Sequence, residues 1–219
     1  MLDEAYRDLK YLLNRGYRKV YALEFVANHY RLTGRERHLL ARCIFSDEWT
    51  EKVSKKLLTP GELRGRVLGI DGFNVLITLE SLLEGQAILC EDGLVRDLKY
   101  QGKYRLKEET RNLLHWIARA LLELKVSEAV FFYGRSVPKS GLVKKLTEGA
   151  LASEGVAGEV RLVRSPDFEL KTYEAVATAD VGIIEKVPFV FDLAAYTGLR
   201  LGRKAEPFFR LLKSPPPVR

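Results

Sequence analysis

From residue 66 onward the chain alternates short apolar runs with longer stretches of helical spacing, and this alternation limits the fold more than any other feature. The runs cover residues 67–70, 130–133, 160–163, 174–180 and 189–191. A continuous apolar run bounded by turn residues suits a strand covered on both faces, as in a parallel sheet. Residues 75–83, 107–125 and 140–151 carry helical spacing, the second through Leu113, Trp116, Ile117, Ala120, Leu121 and Leu124. Strands alternating with helices predict an α/β domain, with a parallel sheet in a three-layer α/β/α sandwich. Asp92-Gly93 between two apolar stretches signals a hairpin, so residues 86–97 read as an inserted β-hairpin.

Residues 1–62 read differently. Leu2, Ala5, Tyr6, Leu9, Leu12 and Leu13 predict a helix over 2–15. A second helix, over 18–30, is expected to bury Val20, Ala22, Leu23, Val26 and Ala27. Thr33 and Glu36 have capping-box spacing before a helix over 37–45, and Ser46 opens a fourth. Thr59-Pro60-Gly61 then forms a linker. The expected division is a small helical module, 1–62, and an α/β domain, 63–219. Its basic, proline-rich tail, 213–219, reads as extended and mobile.

The charge narrows the partners. A net charge of +7 and a pI near 9.3 favour an anionic partner, most simply RNA. The competing account is the ion-pair surface of a thermophile protein. Arg35 and Arg37 lie in a basic segment that serves as a phosphate-binding face or as an ordinary solvated one. Cys43 and Cys90 have no metal-ligand spacing and are expected as reduced core residues of a cytoplasmic protein. No apolar run approaches the ~18 residues needed to span a membrane, so no membrane partner is expected. The oligomeric state stays open, a homodimer included.

The chemistry lies in the acids. The strands end at or near Asp71, Asp167, Asp180 and Asp192. In a parallel sheet those ends share one edge, where open α/β sheets carry their ligand sites. Like charges about 4 Å apart repel by roughly 4 kcal/mol at an effective dielectric of 20, so a cluster calls for a cation. Mg²⁺ or Mn²⁺ suits oxygen ligands, and such an ion activates water and stabilises the leaving oxygen of a phosphodiester. The alternative is that each Asp caps the next helix. Gly72 reads as the residue that lets the chain turn after Asp71.

Gly134-Arg135-Ser136-Val137-Pro138-Lys139-Ser140 lacks the second glycine of a nucleotide-binding loop. Arg135, Lys139 and the amides after Ser140 can still hold a substrate phosphate, although helix capping accounts for Ser140 equally well. His29, His38 and His115 make no metal-binding or nucleophile–base arrangement.

Ile70-Asp71-Gly72-Phe73-Asn74 after a strand, with Ala177-Thr178-Ala179-Asp180 after a later one, resembles the PIN-like nuclease superfamily, closest to its NYN branch. Nearly the whole chain resembles an archaeal and bacterial family of unknown function, in which a helical N-terminal module precedes a PIN-like domain. The resemblance also rests on Arg15-Gly16-Tyr17, the stretch from Asp92 to Asp97, Ser140-Gly141 and Pro166-Asp167. It implies Mg²⁺- or Mn²⁺-dependent hydrolysis of RNA, with Asp71, Asp167 and Asp180 as metal ligands. Asn74 would orient Asp71 or the attacking water. A fourth acid would be Glu80, Asp92, Asp97 or Asp192. Where relatives carry an acid after the second strand, this chain has Gly134 and Arg135.

The expectation is therefore a metal-dependent ribonuclease or RNA-processing protein. Its rivals are a non-catalytic PIN-like RNA-binding module and a metal-dependent phosphatase of small substrates.

Overall fold

The computed structural model describes residues 1–99 and 104–212, and the tail from 213 lies outside the described residues. The chain opens with α1 (Leu2–Asn14), α2 (Lys19–His29), α3 (Gly34–Cys43) and α4 (Asp47–Ser54). It continues through β1 (Val67–Asp71), α5 (Gly72–Leu83), β2 (Ala87–Leu89), β3 (Val95–Asp97) and α6 (Thr110–Leu124). Next come β4 (Glu128–Gly134), α7 (Ser140–Glu154), β5 (Gly158–Val163), α8 (Pro166–Leu170) and β6 (Ala175–Ala177). The last elements are α9 (Val181–Ile184), β7 (Phe189–Phe191), α10 (Leu193–Arg200) and β8 (Glu206–Pro207).

Five strands form one parallel sheet in the order β5-β4-β1-β6-β7. The chain winds outward from β1 through β4 to β5, then crosses back to lay β6 on the other side of β1. The order thus reverses between β1 and β6, which opens the crevice of a topological switch point there. Leu68, Ile70, Phe131, Tyr133 and Ala177 alternate onto one face with residues of α5, α6, α7 and α10. Val130, Phe132, Val176 and Val190 pack on the other with Leu170 of α8, Ile183 of α9 and Val53 of α4. The apolar continuity of the runs follows from this two-sided burial.

The helical module has its own core, in which Ala5, Leu9, Val26 and Leu40 meet Ile88 and Cys90 of the hairpin region and Phe208 near the C-terminus. The hairpin is antiparallel, and β8 joins it to make a small sheet, β3-β2-β8. The two cores touch where α4 leans on the main sheet. Residues 56–58 run beside β7, with Leu58 N–H on the Val190 carbonyl and Val190 N–H on that of Lys56, both at 2.9 Å.

Local signals behaved as capping chemistry predicts. Thr33 and Glu36 form the capping box of α3, and Ser46 Oγ accepts from Trp49 N–H at 3.2 Å to start α4. Three expectations need correction. Val20 is 61% exposed rather than buried, because α2 packs through Ala22, Val26 and Ala27. Ser140 is the first residue of α7 and not its cap; Lys139 holds the cap position with φ of 61°, and no side chain caps the helix.

Gly72 is the third case. Its φ is not positive, so the turn does not require it. A Cβ there would lie 2.2 Å from Cε1 of Tyr133. Tyr133 is fully buried and hydrogen-bonded to Thr147 at 2.9 Å, so the ring cannot yield. Gly72→Ala should therefore destabilise the protein by about 1–3 kcal/mol through overpacking. Denaturant midpoints compare the two proteins, and an unchanged midpoint would mean that the start of α5 slides freely.

Candidate functional site

Asp71 ends β1, beside Phe132 of β4 and one residue beyond the pairing with β6. It occupies the N-cap position of α5 without a well-formed side-chain cap hydrogen bond, although the Asn74 amide in the first turn of that helix favours its charged form. Its Oδ2 accepts instead from the Thr178 hydroxyl at 3.1 Å. Thr178 Oγ1 in turn accepts from Asp180 N–H at 3.1 Å. Asn74 Oδ1 accepts from Ala179 N–H at 2.9 Å. The turns after β1 and β6 are thus tied together across the switch point.

Burial pushes the Asp71 carboxyl up to about 7; Thr178 and the Asn74 amide oppose the shift, while the charges of Asp180 and Asp167 add to it. Those two acids are therefore close enough to be felt. Both residues are exposed, Asp167 in the first turn of α8 and Asp180 before α9. Asp180 Oδ1 also caps α9, accepting from Ile183 N–H at 3.1 Å, so the capping account holds for that one oxygen. Phe168, next to Asp167, is 71% exposed and adds an apolar ring to this segment.

The candidates for a fourth acid all have partners of their own. Asp92 makes a buried bidentate pair with Arg96, both contacts at 2.7 Å, and accepts from Trp49 Nε1 at 3.2 Å. Asp97 pairs with Arg42 at 3.2 Å, and Glu80 with Lys99 and Lys107 at 2.8 Å each. Asp192 caps α10 through Ala195 N–H at 2.9 Å and accepts from Val95 N–H at 2.7 Å. Burial holds its carboxyl up at about 6 against those two amides. Among the described residues, no three His, Cys, Asp or Glu side chains are gathered closely enough to hold a metal ion. Mg²⁺ needs less, since it keeps several waters and is commonly bound through one or two carboxylates. Asp71 and Asp180 suit that demand, because a carboxylate offers about four acceptor sites and each has only part of its capacity engaged.

Sequence reasoning missed two contributors. Thr178 was only part of a motif, and Arg96 was not singled out. Arg96 Nε donates to the Ala179 carbonyl at 3.0 Å, so the inserted hairpin braces the turn that carries Asp180. A lone arginine inside an apolar hairpin strand, four residues after an aspartate, was the available signal.

The basic candidates divide. Arg135 and Lys139 are exposed in the loop after β4, at the edge where β1 and Asp71 end, while Ser140 is buried with Oγ 3.5 Å from the Arg135 carbonyl. Arg35 is exposed on the wall of a cleft shared with Leu98 and Lys99. Arg37 is not available to phosphate. Its guanidinium closes the end of α2 on the carbonyls of Leu32 and Ala27 and on Asn28 Oδ1, at 3.1, 3.3 and 2.8 Å.

The solvent side of α2 is apolar and aromatic, with Val20, Tyr21 and Phe25 at least 61% exposed. Arg18 lies 5.6 Å from the Tyr21 ring centroid, and nearby Arg15 lies 3.6 Å from that of Tyr11. No helix among the described residues is long and apolar enough to cross a membrane.

Two family models match the chain: a protein of unknown function (DUF434) over residues 1–56, and a domain of unknown function (DUF5616) over residues 60–196. An uncharacterized protein of Methanocaldococcus jannaschii is 39% identical over 198 residues, covering 89% of this chain and 95% of that protein. No solved structure matches the chain. With a continuous match from β1 into α10 and a full-length archaeal relative, the chain belongs to the DUF5616 family, here carrying a DUF434 module at its N-terminus.

Proposed function

We propose that the α/β domain is a PIN-like nuclease that hydrolyses RNA with Mg²⁺ or Mn²⁺. The observation that carries this reading is Asp71: a carboxylate at the switch point, pushed up to about 7 by burial with two further acids adding to the shift. Such an arrangement is costly when ionised, and a cation relieves it. Asp71 and Asp180 would hold the ion, with Asp167 drawing it electrostatically. When bound, the ion would lower the pKa of a coordinated water and stabilise charge on the leaving oxygen. Thr178 keeps Asp71 oriented through its hydroxyl. Asn74 would act on both turns, its side chain fixing the Ala179 amide and hence the position of Asp180, its own amide favouring the charged form of Asp71. Arg135 and Lys139 would take the phosphates flanking the scissile bond.

A cavity lined by Asn74, Thr178 and Asp192 measures about 10 Å³, room for a single water at most. Asp167 and Asp180 lie exposed at the sheet edge, which suits a polymer laid across it rather than an enclosed small substrate. The RNA partner is supported by the net charge of +7 and by α2, where the exposed Tyr21 ring lies beside Arg18 and the exposed Phe25 ring stacks on His29. Base stacking on aromatic side chains and cation–π contacts recognise single strands with little sequence preference.

The binding experiment is a salt titration with single-stranded RNA. Affinity should fall steeply with salt, and Arg35→Glu should weaken binding and reduce the slope. A Tyr21→Ser/Phe25→Ser double variant should lose about 2–6 kcal/mol of binding, at about 1–3 kcal/mol per stacked base. Salt-independent binding, or none at low salt, would assign the positive charge to a thermophile-type surface instead.

A second reading rests on a specific observation, the lack of a three-acid group among the described residues. It makes the domain a binding module that retains the fold without hydrolysis. Divalent-ion dependence separates the two.

A further inference from the structure

Cys43 and Cys90 lie in different modules, one at the end of α3 and the other between β2 and the hairpin turn, yet their sulfurs are 3.2 Å apart. Both are buried. Their backbones are pinned side by side, because Glu91 N–H donates to the Cys43 carbonyl at 3.1 Å. The Glu91 carboxylate adds a second tie, accepting from Phe45 N–H at 2.9 Å and from Tyr6 Oη at 2.8 Å. We propose that Cys43 and Cys90 form a disulfide that staples the helical module to the hairpin behind the acidic edge. An S–S bond needs about 2.0 Å, so the sulfurs close by about 1 Å, within reach of side-chain rotation.

The chemistry is thiol–disulfide exchange with a protein or small-molecule disulfide. The thiolate of one cysteine attacks one sulfur of that disulfide, forms a mixed disulfide and expels the other sulfur as a thiolate. The thiolate of the other cysteine then attacks the protein sulfur of that mixed disulfide and expels the second. Both cysteine protons are released, and the two electrons reduce the external disulfide. Burial raises the Cys90 thiol, but the Cys43 hydrogen bond and the Arg96 guanidinium outweigh it and hold it below the usual thiol range. The Cys43 thiol is held well above that range, first by its hydrogen bond to Cys90 and then by burial. Because both sulfurs are shielded, exchange belongs to folding, before the module closes on the hairpin. Disulfides are common inside hyperthermophile cells, and this chain's high charge content is of the kind such proteins show. The hairpin that Cys90 anchors also carries the Asp92–Arg96 pair, whose guanidinium holds the Ala179 carbonyl. The staple stands independently of the nuclease reading.

The test refolds the full chain from guanidinium chloride with oxidised dithiothreitol, then unfolds it in iodoacetamide without reductant. Intact mass should show no adduct and a chain lighter by two hydrogens, with two adducts after reduction. The loop closed by residues 43 and 90 predicts a thermal midpoint about 10 °C higher for the oxidised protein than for the reduced one. A Cys43→Ala/Cys90→Ala variant should melt at one temperature with or without reductant. Two adducts after oxidative refolding, or a wild-type midpoint indifferent to reductant, overturns the proposal.

Discussion

Asp71→Asn should abolish metal-dependent RNA hydrolysis while making the metal-free protein more stable at pH 8. The folded-state pKa of about 7 lies above the ordinary 3.8, so the native state binds more protons than the unfolded chain between those values. Stability in EDTA therefore falls as pH rises through that window and levels off above it. The full shift corresponds to roughly 4 kcal/mol, which Asn at this position does not lose. Asp192, raised to about 6, contributes in the same direction over a narrower window and remains in the variant, so the difference between the proteins isolates Asp71.

Removal of a charged ligand should lower hydrolysis by orders of magnitude. Asp71→Ala controls for the hydrogen bond from Thr178, which Asn can still accept. The measurement is thermal unfolding from pH 4 to 8, with EDTA or Mn²⁺, beside an RNA cleavage assay. At a hundredfold excess over Kd, Mn²⁺ should stabilise the wild type by about 2.7 kcal/mol and the variants far less. Were Mn²⁺ to change neither stability nor cleavage in the wild type, the binding-module reading would stand. A flat pH profile for the difference would instead refute the burial of Asp71.

Arg96→Met should cost about 3–5 kcal/mol, the largest stability loss expected here from a single polar residue. It leaves the Asp92 carboxylate, 0% exposed, without its cation. Changing both partners, Asp92→Leu with Arg96→Met, should recover much of that loss, since apolar replacement of a buried pair is often neutral. Hydrolysis should not recover with it. The Ala179 carbonyl loses its Arg96 donor in both variants, and with it a brace on the turn that holds Asp180. Denaturant midpoints for the two single variants and the double variant form the cycle. A loss below about 1 kcal/mol for Arg96→Met would mean that the pair is hydrated, and restored cleavage in the double variant would remove the hairpin's positioning role.

Much of the architecture was legible along the chain because it depends on neighbours in sequence. Apolar runs ending at turns marked all five strands of the main sheet, Asp92-Gly93 marked the hairpin, and Thr33 and Ser46 marked two helix starts. The placement of Asp71 at the end of β1 was legible for the same reason. The short α8 and the edge strand β8 were not, since five and two residues carry too little periodicity to register.

Which acids meet, and what each one does, was decided only by the tertiary structure. Glu80, Asp92, Asp97 and Asp192 looked interchangeable as a fourth acid beside Asp71, Asp167 and Asp180, yet Asp92, Asp97 and Glu80 are taken by cations and Asp192 by backbone amides. The charges of Asp180 and Asp167 both raise Asp71. The contacts responsible span 83 residues from Arg96 to Ala179 and 107 from Asp71 to Thr178. Charge and burial act through space, so no local pattern encodes them. The crossover that returns the chain beside β1 brings these groups together, and Asp71 there combines desolvation with the charges of Asp180 and Asp167.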